Sequence, residues 1–226
     1  MAKNKLMHFA DMKTMDFVFE PELNELQNDA FELKGKWQNS FFKNDNPIIV
    51  ELGCGKGEYT VELAKKYPNK NYIGIDIKGA RIWYGADTVR TLNLKNAAFV
   101  RLRINFILSI FAENEIDEIW LTFSDPQKEK PRKRLTSKMF MDRFKKILKP
   151  EGIVHLKTDS DILFESTEEQ IAEHNYKCNN STWDLYADEY WNTLNDEQKS
   201  VLSIKTNYEQ IFSDKGFKIK YCQIKF

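Results

Sequence analysis

Two acidic residues accompany a glycine-rich stretch in the first half of the chain. The stretch runs from Glu51 to Gly57 (ELGCGKG), and a second acid, Asp76, follows about twenty residues later. Glycines let a backbone turn sharply and come close to a ligand. A carboxylate at the position of Asp76 can accept hydrogen bonds from both hydroxyls of a ribose. The glycine spacing is G-x-G-x-G, which differs from the G-x-G-x-x-G of dinucleotide-binding proteins.

The acid that precedes the first glycine indicates the charge of the ligand. A pyrophosphate beside Glu51 would be repelled, whereas the sulfonium cation of S-adenosylmethionine would be attracted. We therefore expect Gly53 and Gly55 to form a turn beside S-adenosylmethionine, with Glu51 and Asp76 as cofactor-binding acids. The alternatives are a tight turn without a ligand, and a Glu51 side chain that stabilises the start of the following helix through its dipole.

Two further segments place polar residues after apolar runs. The amide of Asn105 offers an acceptor and a donor for the edge of an adenine ring, with a helix N-cap as the alternative. Asp125 and Pro126 follow the apolar run at 119–123. Pro126 is not followed by Pro and an aromatic residue, the pattern of enzymes that methylate exocyclic amines, so methylation of an amine is disfavoured.

A run of basic residues follows Asp125, although the formal net charge of the chain is +0. Residues 126–149 contain ten Lys or Arg and two acids, whereas residues 150–200 contain twelve acids and three Lys. Such asymmetry favours contact with a polyanion on one side of the protein. We expect Arg132, Lys133 and Arg134 to contact nucleic-acid phosphates, because the loop lacks aromatic residues for base stacking. A solvated start of a helix is the alternative.

The order of segments predicts the scaffold that positions these residues. Alternating strands and helices predict a parallel sheet with right-handed crossovers, whose ligands bind beyond the carboxyl ends of the strands. The apolar runs that we interpret as strands lie at 48–52, 71–77, 98–102, 119–123 and 153–158. The helical patterns lie at 57–67, 79–92 and 136–148. Residues 1–45 are predicted to form an N-terminal extension with one helix at 21–34, and residues 46–226 to form the main domain.

The composition restricts the class of protein. A chain of 226 residues with 42% hydrophobic and 13% aromatic residues is typical of a folded α/β domain. No run of 18 apolar residues occurs, so no membrane span is expected. The polar, Lys-rich start lacks the apolar stretch of a signal peptide. The three Cys and three His show neither C-x-x-C nor metal-ligand spacing. We therefore expect reduced thiols, a cytoplasmic protein and no metal site.

Several motifs together resemble the bacterial tRNA (guanine-N7-)-methyltransferase family. They are the glycine-rich stretch, GIDIK at 74–78, Asp-Pro with the basic run to 136, KTD at 157–159 and TNYE at 206–209. The glycine-rich motif is typical of methyltransferases in general, and the Asp-Pro basic segment with KTD is more specific. The resemblance implies a class I methyltransferase (Rossmann-like) α/β fold, a mostly parallel sheet with helices on both faces. It also implies methyl transfer from S-adenosylmethionine to N7 of guanine 46 in the variable loop of tRNA.

The resemblance also implies roles for individual residues. Four residues would contact the cofactor, the last of them near the methyl transfer: Glu51, Asp76, Asn105 and Asp125. Asp159 and the segment from Thr206 to Glu209 would bind the substrate guanosine, with Thr206 and Glu209 as the named residues of that segment. The basic loop is shorter than in the family, so a substrate-binding lysine maps onto Glu129 or Lys130, and Lys130 is chosen for its charge. Gln127 stands where the family usually has Trp, and Asn105 stands where many relatives have Asp.

Two of the substrate-binding candidates have structural alternatives. Thr206-x-x-Glu209 matches a capping box that would begin a helix over 207–215, and Asp159 can start the helix after the strand at 153–158. The two roles of a cap are compatible, since a helix N-terminus also presents free N–H groups to a ligand.

Other functions are compatible with the residues. The chain can be a methyltransferase for another RNA site or for a small molecule, and the latter would not need the basic segment. A non-catalytic tRNA-binding or chaperone-like protein is a second alternative. A nicotinamide oxidoreductase is disfavoured by the glycine spacing and by Glu51. We expect tRNA as the partner and a monomer or homodimer.

Overall fold

The computed structural model describes residues 2–226, with side chains from Lys5 onward, and arranges this part of the chain around one eight-stranded sheet. The strands are β1 (Val18–Phe19), β2 (Ile48–Leu52), β3 (Asn71–Asp76), β4 (Ala97–Arg101), β5 (Ile116–Thr122), β6 (Leu148–Thr158), β7 (Lys177–Thr182) and β8 (Lys220–Lys225). The α-helices are α1 (Ala2–Met12), α2 (Leu23–Gln27), α3 (Glu58–Lys66), α4 (Gly79–Leu92), α5 (Ile107–Ile110), α6 (Lys138–Ile147), α7 (Asp161–Glu173), α8 (Asp188–Trp191), α9 (Asp196–Leu202) and α10 (Asn207–Asp214).

The strand order is β1-β4-β3-β2-β5-β6-β8-β7. β1 to β6 run parallel, β8 is antiparallel to β6, and β7 is antiparallel to β8. The sheet grows from β2 towards β4 in one direction and towards β6 in the other, so its topological switch point lies between β2 and β5. Ligands of open α/β sheets bind at this point, beyond the carboxyl ends of the strands. The prediction of a mostly parallel sheet is confirmed.

Two apolar cores cover the two faces of the sheet. All five residues of β2 are buried, and because side chains alternate along a strand, neighbours enter different cores. Val50 packs with Phe144 of α6 and Phe164 of α7, whereas Ile49 packs with Tyr59 of α3. Glu51 is two residues from Ile49 and therefore lies on the α3 face, a position that governs its chemistry.

The N-terminal part differs from its prediction. A single helix over 21–34 is wrong, because α2 ends at Gln27 and the chain turns at Asp29, whose φ is 53°. Before it, β1 joins the sheet beside β4. After it, Trp37 of a π-helical turn (Trp37–Phe42) is buried and its Nε1 donates a hydrogen bond to the Ile110 carbonyl at 3.0 Å. The segment completes the sheet and the core, and the domain boundary at residues 45 and 46 stays a prediction.

The acidic C-terminal half contains an insertion between β7 and β8 that carries α8, α9 and α10. Leu185, Leu194 and Leu202 of the insertion are buried on the α3 face of the sheet. The insertion therefore packs on the body of the protein beside the edge at which β2 and β5 end.

Candidate active site

The carboxyl ends of the parallel strands gather the predicted site residues at one edge of the sheet. Gly53 and Gly55 follow β2, and Asp76 ends β3. The other candidates after a strand are Asn105 after β4, Asp125 after β5 and Asp159 after β6. Strand register rather than sequence distance thus brings together residues that are more than a hundred positions apart.

The glycine turn leaves room for a ligand. Gly53 and Gly55 have φ values of 79° and 57°, in the left-handed region that side chains disfavour. An added Cβ on either glycine would have no described atom within 4 Å beyond its chain neighbours. The space above the turn is therefore open, as close approach of a cofactor requires.

Asp76 ties this turn to the next loop. Its Oδ2 accepts a hydrogen bond from the Gly55 N–H at 3.0 Å, and its Oδ1 accepts one from the Lys78 N–H at 2.8 Å. Each carboxylate oxygen keeps a second lone pair for an outside donor. The half-buried carboxylate can therefore hold the turn and accept bonds from ribose hydroxyls at the same time.

A cavity of about 310 Å³ opens just beyond the end of β3. Its lining is mostly apolar and includes Leu102 and Phe106, together with Ile77, the residue after Asp76. Leu23 and Pro21 of the N-terminal segment form another wall, which the sequence pattern did not predict. This cavity and the open glycine turn fit S-adenosylmethionine.

Asn105 lies exposed in the 3₁₀ turn Ile104–Phe106, and the last residue of this turn, Phe106, lines the cavity. The helix-cap alternative for Asn105 is wrong, because the N-cap of α5 is Phe106. Its contact with the adenine edge stays a prediction.

Glu51 lies beneath the turn and is 4% exposed. Its Oε2 accepts hydrogen bonds from the Thr60 N–H (3.0 Å) and hydroxyl (2.5 Å), and its Oε1 accepts one from the Thr122 hydroxyl at 2.5 Å. These bonds join β2 to α3 and β5. Burial nevertheless raises the pKa of the carboxyl to about 7. The structure gives Glu51 a bracing role, and a direct cofactor contact stays a prediction.

The raised pKa of Glu51 predicts a pH-dependent cost in stability. In the unfolded chain this carboxyl ionises near pH 4.5, whereas in the folded chain it keeps its proton until about pH 7. The folded chain therefore binds this proton more tightly than the unfolded chain does. The stability that the carboxyl contributes is fully present below pH 4.5 and is lost as the pH rises to about 7. We expect Glu51→Gln to be more stable than the wild type by about 3 kcal/mol at pH 8 but not at pH 4.5.

Urea unfolding of both proteins at the two pH values measures this difference. Glu62→Gln, an exposed position on α3, serves as the control and is expected to show no comparable change with pH. A wild type that equals or exceeds Glu51→Gln in stability at pH 8 would show that the buried carboxylate carries no penalty.

Asp125 projects from a short turn at the end of β5. Phe123, with φ of 51°, donates its N–H to the Lys157 carbonyl at 2.8 Å and turns the chain away from the sheet. The exposed Asp125 then accepts the Gln127 N–H at its Oδ1, at 2.9 Å. The second carboxylate oxygen is available at the switch point between β2 and β5.

The basic loop divides into exposed and buried cations. Lys130, Arg132 and Lys133 are exposed in and before a 3₁₀ turn (Pro131–Lys133). Arg134 is 7% exposed, and its Nε donates to the Pro126 carbonyl at 2.8 Å, so it braces the loop that carries Asp125. Its contact with phosphate stays a prediction.

The substrate-binding candidates after β6 and in α10 differ in how far their side chains are buried. Asp159 is half-buried, and burial raises the pKa of its carboxyl. Thr206 is the N-cap of α10, and its hydroxyl accepts the Glu209 N–H at 3.1 Å. The carboxylate of Glu209 is fully buried and lies 2.9 Å from the Lys157 ammonium, which favours an internal role, and its contact with guanosine stays a prediction.

Tyr208 lies within the predicted substrate-binding segment from Thr206 to Glu209, but sequence reasoning gave it no role of its own. Its ring is 49% exposed and lies 5.9 Å from the ring of Phe123 and 4.5 Å from that of Phe212. Partial burial raises the pKa of its hydroxyl, and the nearby carboxylates of Asp159 and Asp125 raise it further. Its place between Thr206 and Glu209 was the available indication. Tyr208 thus presents an aromatic face beside both acids.

Neither a metal cluster nor a membrane-crossing helix is found among the described residues. Within residues 2–226 no three His, Cys, Asp or Glu side chains are grouped to hold an ion. No helix in the same part of the chain is both long and apolar enough to cross a membrane.

The strand order, the open glycine turn and the acid at the end of the next strand define a class I S-adenosylmethionine-dependent methyltransferase. A solved structure described as "Structure of an Antibiotic Related Methyltransferase" has the same fold. Its TM-score is 0.60 at 15% identity, and the match covers 86% of this chain and 94% of that chain. A family model described as "Putative methyltransferase" matches residues 45–222.

Sequence relatives narrow this class to one family. A tRNA (guanine-N(7)-)-methyltransferase of Bacteroides fragilis is 50% identical over 226 residues, which is 100% of this chain and 86% of that protein. One of Christiangramia forsetii is 46% identical, covering 99% and 98% of the two chains. The chain belongs to the tRNA (guanine-N7-)-methyltransferase family. The predicted family, fold class and methyl donor, S-adenosylmethionine, are confirmed.

Proposed function

We propose that this protein transfers the methyl group of S-adenosylmethionine to N7 of guanine 46 in the variable loop of tRNA. One juxtaposition carries the proposal: the carboxylates of Asp125 and Asp159 lie near enough to the partly exposed Tyr208 to raise the pKa of its hydroxyl. The glycine turn lies at the same edge of the sheet. A purine can enter between these acids with one edge directed at the cofactor side of the site.

The proposed chemistry needs orientation rather than proton removal. Guanine N7 carries a free lone pair at neutral pH, so no general base is required. Bound S-adenosylmethionine supplies an electrophilic methyl group. Asp159 accepts hydrogen bonds from N1–H and the exocyclic amine on the Watson–Crick edge, which fixes the base, and proximity supplies much of the rate. Asp125 balances the positive charge that develops on the purine.

We propose that Lys130, Arg132 and Lys133 hold the tRNA backbone. All three are exposed and follow directly on the turn that carries Asp125. Phosphate contacts position a nucleic acid without reading its sequence, and here they would lie beside the base-binding acids. Lys130 rather than Glu129 as the substrate-binding residue of the shortened loop also stays a proposal.

The basic loop predicts a change in the salt dependence of tRNA binding. We expect Arg132→Ala/Lys133→Ala to weaken tRNA binding at low salt. The slope of log K against log salt should become shallower by about 1 to 2, because tRNA binding with fewer phosphate contacts releases fewer counterions. Lys145→Ala/Lys146→Ala removes two exposed charges from the other end of α6 and serves as the matched control. Fluorescence polarisation with labelled tRNA at several salt concentrations gives both slopes. Equal slopes for the two double variants would refute the assignment.

The decisive test of the function is incubation with labelled S-adenosylmethionine and tRNA, followed by aniline cleavage at N7-methylguanosine. Cleavage at position 46 is expected. Label elsewhere in tRNA would favour another RNA site, and labelling of a small molecule without competition by bulk tRNA would favour a small-molecule enzyme. Cofactor binding by calorimetry without methyl transfer to tRNA would leave a non-catalytic tRNA-binding protein.

We further propose tRNA as the macromolecular partner and the cytoplasm as the place of action, in keeping with the tRNA named for the relatives. A monomer or a homodimer stays the predicted oligomeric state.

A further inference from the structure

We propose that the buried pair of Lys157 and Glu209 is a positioning device that holds the three substrate-facing segments of the active site in register. The segments are the Asp125 turn, the Asp159 loop and the start of α10. The inference rests on the proposed function for its catalytic consequence, whereas its structural consequence can be measured separately.

The Lys157 ammonium connects β6 to the C-terminal insertion. Both side chains of the pair are fully buried, and Nζ lies 2.9 Å from Oε2 of Glu209. Nζ also donates to the carbonyls of Leu202 and Ile204 at 3.0 Å each. Two hydrogen bonds and one ion pair of the ammonium therefore reach the chain that leads into α10 and α10 itself.

The backbone of Lys157 connects the end of β6 to the Asp125 turn and to the Asp159 loop. Its carbonyl accepts the Phe123 N–H at 2.8 Å, which sets the turn that leads to Asp125. Asp159 follows two residues later on the same strand end. One residue thus contacts the Asp125 turn through its backbone, the Asp159 loop through the chain and α10 through its side chain.

Glu209 completes the connection from the other side. Its Oε1 accepts a hydrogen bond from the Tyr186 hydroxyl at 2.5 Å, while its N–H is held by Thr206. The neighbouring Tyr208 is exposed on the opposite side of the helix start. The inward anchoring of Glu209 therefore fixes the outward direction of Tyr208, and through Tyr186 it gives the acidic insertion a function.

The free energy of a buried ion pair indicates whether the pair serves stability or geometry. Removing two charges from water costs free energy that their attraction repays only in part, so an apolar pair of equal volume is often as stable. A buried pair is therefore better explained by the geometry that it imposes. The pKa of Lys157 is lowered to about 8, mainly by burial; Glu209 opposes this shift and Lys205 adds to it. The rings of Tyr59 and Tyr186, each 5.7 Å from Nζ, are the other titratable groups that face it.

The experiment compares Glu209→Gln, Tyr186→Phe and the apolar double variant Lys157→Met/Glu209→Met with the wild type. Lys149→Met is the matched control, because Lys149 pairs with Asp117 at 2.8 Å at the amino end of the sheet. For each protein we would measure kcat and KM for tRNA, the Kd of S-adenosylmethionine, and amide hydrogen exchange over 203–212. The pH dependence of kcat between 7 and 9.5 is measured for the wild type and the double variant.

We expect Glu209→Gln to lower kcat by about tenfold to a hundredfold, because a small displacement of binding groups is costly. The KM for tRNA should stay within about twofold, since phosphate contacts dominate affinity. In Glu209→Gln the amide exchange over 203–212 should rise, whereas the Kd of S-adenosylmethionine should not change. The kcat and the exchange of Tyr186→Phe should lie between those of Glu209→Gln and the wild type. Lys149→Met should match the wild type in all these measurements. Wild-type kcat should fall above pH about 8, and this decline should be absent from the double variant.

A double variant that folds with wild-type kcat, wild-type pH dependence and unchanged exchange would overturn the proposal, even if Glu209→Gln does not fold. A wild type that fails to methylate tRNA would refute the proposed function instead. In that case the amide exchange over 203–212 still tests the positioning device. Loss of protection in the double variant supports it, and wild-type protection in the double variant overturns it.

Discussion

Asp125→Ala is expected to lower kcat for tRNA methylation by about a hundredfold or more, the scale of losing one electrostatic partner of a transition state. Asp125 is exposed at the switch point of the sheet, and only its Oδ1 is used by the Gln127 N–H. Without the carboxylate, positive charge that develops on the guanine has no counter-charge at this position. Single-turnover rates with saturating S-adenosylmethionine and tRNA measure the effect.

Asp125→Asn separates the two roles of this side chain. The amide oxygen can still accept the Gln127 N–H and keep the turn, but the negative charge is absent. We expect Asp125→Asn to be nearly as slow as Asp125→Ala if charge balance is the main role. Recovery of the wild-type rate in Asp125→Asn would assign Asp125 to the turn alone. Asp142→Ala, which removes an exposed acid from α6, is the control for net charge.

Asp76→Ala is expected to raise the Kd of S-adenosylmethionine by about a hundredfold. Hydrogen bonds to a charged group contribute about 1.5 to 3 kcal/mol each, and the variant loses those to the ribose. It also releases the Gly55 N–H and the Lys78 N–H, so the glycine turn loses its anchor. Isothermal calorimetry gives the Kd directly.

The tRNA side of the site should be insensitive to the same change. We expect the salt slope of tRNA binding to Asp76→Ala to equal that of the wild type, because the basic loop follows a different strand. Asp87→Ala, in an exposed ion pair with Arg90 on α4, is the matched control and should leave cofactor affinity unchanged. A Kd within about threefold of the wild type for Asp76→Ala would exclude two ribose bonds of that strength.

Periodicity and residue type were sufficient for the scaffold, for the glycine turn and for the acid that ends the next strand. Short apolar runs bounded by glycine or acidic residues end at the correct edge, because parallel strands place all their carboxyl ends on one side. Gly53, Gly55 and Asp76 could be located from spacing alone, since their roles depend on local backbone geometry and on two adjacent strands. These requirements are short-range, so they are visible in the types and the spacing of the residues.

Only the tertiary structure decided which charged side chains are available to a ligand. Arg134 lies in the basic run and Glu209 in a capping pattern, yet both are buried. The partner of Glu209 is Lys157, fifty-two positions earlier, and its second partner, Tyr186, belongs to the acidic insertion. Leu23, which lines the cavity beside Ile77, is likewise remote in the chain from β4.

The physical reason for this division is the range of the interactions. Turn geometry and strand alternation depend on neighbours along the chain, so residue type and spacing predict them. Burial depends on what packs above a side chain from distant segments, and it determines whether a charge meets water, a ligand or another charge. For this protein the sequence therefore determined the fold, the family and the cofactor turn. The folded chain decided that Lys157 and Glu209 face each other inside, and that Asp125, Asp159 and Tyr208 keep exposed or half-buried side chains.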